Sequence, residues 1–179
     1  MPVMPVYERQ RQNGGFTLVE MLIALALLST IIVVSNNFFL SGLASWQRNL
    51  DKAEVEENLR IAVDRLSREL RRARCIIVYE RNELYPKGKI SFQIIENGAL
   101  KTISYYCSPA GDNEKAMEIK RRKTGFIMAY PVARYIINLD VKPEDCGPQT
   151  ALATITLTGE KRRSGEIKVS TTVLLRNQD

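Results

Sequence analysis

The sequence predicts an α+β chain in which one long N-terminal helix, apolar in its first half and amphipathic in its second, packs on a head of antiparallel β-strands. Three observations predict it. Residues 16–34 are almost wholly apolar, whereas residues 47–74 are dense in charge and carry apolar residues at three- and four-residue steps. Beyond residue 74 the pattern shortens to strand-like runs separated by turn residues. A chain of 179 residues accommodates one modest globular domain and one non-globular element. The expected segments are a polar leader at 1–15, an apolar helix at 16–40, an amphipathic helix at 41–74 and a β head at 75–179.

The leader, MPVMPVYERQRQNGG, carries Arg9 and Arg11 and ends in Gly14-Gly15. It contains no apolar run. An ordinary secretory signal places its hydrophobic stretch before the cleavage point, but here FTLVEMLIALALLSTIIVV begins directly after the glycines. A cut at the glycines preserves the hydrophobic helix. From Phe16 to Val34 the run spans roughly 28 Å at ~1.5 Å per residue, close to the ~30 Å hydrocarbon core of a bilayer. One membrane crossing is expected, with the Arg9 and Arg11 end cytoplasmic and the head in the periplasm or outside the cell. A buried core helix is the competing account, disfavoured by so long a run with a single charge.

That charge is Glu20. A carboxylate inside an apolar span costs roughly 2.5–3.5 kcal/mol at the helix centre unless it finds a partner. Cleavage after Gly15 would create one, the free amine of Phe16, on the same chain or on a neighbour. The simpler account leaves Glu20 at the headgroup level, partly protonated or reaching for water.

After Val34, Ser35-Asn36-Asn37 and Ser41-Gly42 lower helix propensity without ending the helix, and no proline interrupts before Pro86. Leu59, Ala62, Val63, Leu66, Leu70 and Ala73 form one face that must be buried. Glu56 with Arg60 and Asp64 with Arg68 are i,i+4 pairs, and Arg71, Arg72 and Arg74 suit the negative end of the helix dipole. A helix from Phe16 to Arg74 would run roughly 88 Å, longer than a small domain. A coiled coil fits less well than a helix lying on its own sheet.

The expected strands are Cys75–Tyr79, Ile90–Ile95 and Leu100–Cys107, the last two joined at Glu96-Asn97-Gly98. Met117–Arg122 and Phe126–Tyr130 read as a second hairpin about Lys123-Thr124-Gly125. Tyr135–Val141 follows, then Ala153–Thr158 and Ile167–Leu175 around the polar turn Gly159–Gly165.

Composition excludes much enzyme chemistry. There is no histidine among the residues, which removes histidine-based zinc sites and histidine-activated nucleophiles. Cys75, Cys107 and Cys146 lack CxxC spacing; a Cys107–Cys146 pair would leave Cys75 over, and other pairings stay open. The net charge of +6 falls to +5 without Glu8, Arg9 and Arg11, a scattered excess rather than a nucleic-acid stripe. Asp112 with Glu114, and Asp140, Glu144 and Asp145, lack EF-hand spacing and read as solvated loops before calcium ligands. Lys120–Lys123 and Lys161–Arg163 read as solubilising hairpin tips without interleaved aromatic platforms, and Tyr105, Tyr106 and Tyr130 as residues packing in or beside the sheet.

Gly14-Gly15-Phe16-Thr17-Leu18-Val19-Glu20-Met21-Leu22 resembles the processing motif of type IV pilin-like prepilins, which include minor pilins, type II secretion pseudopilins and competence pseudopilins. The resemblance covers residues 14 to about 40. It implies cleavage after Gly15 by prepilin peptidase, which recognises Gly14, Gly15 and Phe16, and methylation of the Phe16 amine. It also implies an assembly role for Glu20, a non-enzymatic subunit without a cofactor, and other pilins and an inner-membrane assembly platform as partners. The ending KVSTTVLLRN resembles the last strand of minor pilins and of pseudopilin J of type II secretion. The competing readings are a competence pseudopilin for DNA uptake and a single-pass membrane enzyme or sensor that keeps its N-terminus.

Overall fold

A computed structural model describes residues 15–110, 113–142 and 152–175, with side chains except at 74–78 and 113–116. The order is α1 (Leu18–Leu70), β1 (Ala73–Glu80), β2 (Lys89–Glu96), β3 (Ala99–Ala110), β4 (Asn113–Lys123), β5 (Tyr130–Arg134), β6 (Ile136–Lys142), β7 (Leu152–Gly159) and β8 (Ile167–Leu174). This is the long helix packed against antiparallel strands that the sequence predicts. Two compact units meet at Ser45/Trp46.

In the first unit the helix continues through Ser35-Asn36-Asn37 and Ser41-Gly42 without a break. Its apolar side chains from Leu18 to Val34 are all exposed. In the second unit Val55, Leu59, Ala62, Leu66 and Leu70, spaced three and four apart, are buried against the head. Asp64 and Arg68 pair at 2.6 Å, whereas Glu56 faces Lys52 at 3.8 Å instead of Arg60.

The helix stops at Leu70, before the expected Arg74. Arg71 and Arg72 form a turn, with the Arg72 N–H donating to the Glu69 carbonyl at 3.1 Å. Ala73 then opposes Ile94 as the first residue of β1. Ala73 is still fully buried, but from the sheet. The β-branched run Ile76-Ile77-Val78 favours extended backbone and takes over from the helical period.

Among the described residues the strands of the head form two sheets, β1-β2-β3-β4-β5 and β6-β7-β8, with the pairings antiparallel. Tyr135, at φ 63°, turns the chain out of the first sheet immediately before β6. Its N–H donates to the Met117 carbonyl (2.7 Å) and its carbonyl accepts from the Glu160 N–H (2.9 Å), so this unusual backbone is held from both sides. The predicted strand Phe126–Tyr130 is mostly connection, because β5 pairs from Tyr130 onward and carries Pro131 on an edge strand. Lys120–Lys123 lie within β4 and not at a hairpin tip.

The end of β1 and the β1–β2 connection strap the sheets together. The Leu139 N–H donates to the Lys87 carbonyl (2.9 Å), the Tyr79 hydroxyl to the Leu139 carbonyl (3.1 Å) and Arg81 Nη1 to Asp140 (2.8 Å). A Cβ on Gly88, at φ 88°, would lie 2.0 Å from the Leu139 oxygen, so only glycine fits. Ion pairs anchor the helix: Arg121 Nε reaches both Glu69 oxygens at 2.9 and 3.0 Å, and Lys161 reaches Asp51 at 3.0 Å and also Glu54. Phe92 and Tyr105 stack in the core with centroids 6.1 Å apart.

Candidate processing and assembly site

The residues singled out by sequence converge on the start of α1, apart from Gly14, which lies outside the described residues. Gly15 and Phe16 are exposed ahead of the first helical residue, Phe16 at 85%. A Cβ built on Gly15 would meet nothing within 4 Å, and its φ is not in the left-handed region. Neither space nor backbone conformation in this chain requires glycine there.

Thr17 and Glu20 form a reciprocal capping box. The Thr17 backbone N–H and hydroxyl donate to Glu20 Oε2 at 2.8 and 3.0 Å, and the Glu20 N–H donates to Thr17 Oγ1 at 3.3 Å. Two N–H groups that a helix start leaves unpaired are thereby satisfied. Sequence reasoning weighed Glu20 for its charge and missed Thr17 as its partner. The signal was present, since a Thr-x-x-Glu pattern opening an apolar run is a capping signature. Among the described residues Oε1 makes no hydrogen bond, so one oxygen is held locally and the other is free to accept from elsewhere.

Farther along the run, the hydroxyls of Ser29 and Thr30 both donate to the Ala26 carbonyl at 2.8 Å. Glu20 is left as the single charge in residues 18–34 of α1, a helix long and apolar enough to cross a membrane.

The remaining candidates are spread over the head. Asp140 is engaged by Arg81 and Asn138; Asp112, Glu144 and Asp145 lie outside the described residues, as does the side chain of Glu114. Within β4, Lys120 pairs with Glu118 at 3.1 Å, Arg121 with Glu69, and Lys123 with Glu96. Hydrogen bonds from Lys123 and Lys101 hold the Glu96 carboxyl down at about 2. Cys107 sits buried within β3, unpaired among the described residues, and burial pushes its thiol up to about 12, out of the reactive range. Its suggested partner Cys146 lies outside the described residues, and so does the side chain of Cys75. Tyr105 is fully buried, Tyr106 half-buried and Tyr130 exposed.

Residues 10–35 match the family model described as the prokaryotic N-terminal methylation motif. This motif is typical of type IV pilin-like prepilins, a structural family, and implies processing by prepilin peptidase. No curated protein and no solved structure gives a significant match to the chain. The match ends inside the apolar half of α1 and leaves the head outside it.

Proposed function

We propose that this chain is a minor pilin or pseudopilin precursor, a structural subunit assembled into a type IV pilus or type II secretion pseudopilus and active in filament initiation. Prepilin peptidase cuts after Gly15, having recognised Gly14, Gly15 and Phe16, and methylates the Phe16 amine. The subunit waits in the inner membrane, its N-terminal end toward the cytoplasm and its head in the periplasm or outside the cell. An assembly platform then brings it against other pilins or pseudopilins. One observation carries the reading: the methylation motif opens directly onto an exposed apolar stretch of helix, through Val34, whose single charge, Glu20, lies one turn from the new terminus.

The chemistry is charge neutralisation. Cleavage creates an amine near the depth of the carboxylate, and Glu20 Oε1 has acceptor capacity beyond the capping box. The structural indifference of position 15 to a side chain supports a glycine retained for recognition by the peptidase.

N-terminal mass spectrometry of the mature membrane form tests the proposal. A methylated Phe16 terminus is expected. An intact Met1 in that form would overturn it and favour a single-pass protein that keeps its leader.

A further inference from the structure

Away from the helix start, the outer face of the five-stranded sheet carries a groove of about 310 Å³ whose aromatic walls are Tyr85, Tyr106 and Phe126. Tyr106 stands on β3 between Lys89 of β2 and Lys120 of β4. Tyr85, from the β1–β2 connection, packs edge-on against it with centroids 5.5 Å apart and planes at 62°. Lys89 Nζ lies 4.5 Å above the Tyr85 ring. Phe126 is half exposed at the rim, against Tyr130 at 6.5 Å.

The polar lining is one-sided. It consists of cations and hydroxyls, with no carboxylate and no carboxamide among the described residues. Lys89 is paired with Glu80 at 2.9 Å and Lys123 with Glu96, but Arg122 is exposed and makes no ion pair among the described residues. Ser104, directly opposite Arg122, forms the floor and bonds to Ser91 at 2.9 Å. A neutral glycan is best met by carboxylates and amides that accept from its hydroxyls, and this lining offers none. A ring stacked on an aromatic wall and carrying an anion within reach of a guanidinium matches both halves of the groove.

We propose that this face binds single-stranded nucleic acid, an unstacked base lying against Tyr106 between Tyr85 and Phe126 while a flanking phosphate meets Arg122. The site is separate from the basic turn Lys161–Arg163, whose Lys161 is committed to Asp51 and Glu54. It does not depend on N-terminal processing. With a single unpaired cation, binding is weak and has a shallow salt slope.

The test is fluorescence anisotropy of a labelled single-stranded oligothymidylate titrated with the full chain in detergent micelles, across a salt series. Tyr106→Ala is expected to weaken binding about five- to hundred-fold, the effect of losing one base–aromatic stack. Arg122→Gln, an exposed change that leaves the core untouched, lowers the salt slope by about 0.7, and Arg163→Glu changes neither quantity appreciably. Duplex binding that equals single-strand binding would overturn the proposal. So would full affinity in both Tyr106→Ala and Arg122→Gln, or binding of an acidic polysaccharide in place of the oligonucleotide.

Discussion

Replacing Glu20 with glutamine separates two roles that alanine would remove together. Glutamine at this position still accepts from the Thr17 N–H, so the capping box survives while the charge is lost. An ionised carboxylate in an apolar helix costs at most roughly 2.5–3.5 kcal/mol, equivalent to about 70- to 400-fold in partition. Glu20→Gln should therefore enter the membrane at least as well as the parent chain and be processed normally. Pairing with an amine about 4 Å away at an effective dielectric of ~20 is worth roughly 4 kcal/mol before desolvation. After desolvation, a loss of filament incorporation of about tenfold or more is expected. Thr17→Ala keeps the charge and the backbone N–H bond but removes both bonds of the hydroxyl, at about 1 kcal/mol, so its effect should stay within about fivefold. The assay is an immunoblot of sheared filaments normalised to the processed membrane pool. Incorporation of Glu20→Gln at the parent level would refute charge pairing. Thr17→Ala as defective as Glu20→Gln would place the effect in local helix capping.

Gly15 replaced by a bulky residue should accumulate as the unprocessed species on a gel with its head still folded, since position 15 has open space around it. Gly159→Ala should destabilise the head by about 1–3 kcal/mol, because its Cβ would meet Val55 Cγ1 at 2.8 Å and the Tyr135 carbonyl at 3.0 Å; an unchanged melting temperature would show that the helix can move away. Glu96, held at about 2 against an ordinary 4.5, adds stability that is fully present above the ordinary value and fades as pH falls toward the folded one. The difference in melting temperature between the parent and Glu96→Gln should accordingly shrink between pH 5 and 2, and a constant difference would dismiss the Lys101 and Lys123 contacts as stabilising.

The helical stripe from Leu59 to Leu70 was legible because periodicity is a local property: its members at 59, 62, 66 and 70 are buried and Val63 is partly so. The hairpin at Asn97-Gly98 was legible because left-handed backbone there selects those residue types, and both have positive φ. Phe126–Tyr130 misled for the complementary reason. Its apolar side chains fit a strand by composition, but pairing begins only where β4 supplies a partner, at Tyr130. The groove on the outer face was not legible at all, because Tyr85, Tyr106 and Phe126 lie far apart in sequence and come to line one groove only on the folded sheet.

The sequence by itself determined the motif, the apolar run, the lone carboxylate and the order of helix and strands, because each follows from residues within a few positions of one another. Only the tertiary structure decided that the strands divide into two sheets at Tyr135 and that Ala73 is buried from a strand. Local pattern sets what a segment can become, whereas partners distant along the chain select among those outcomes.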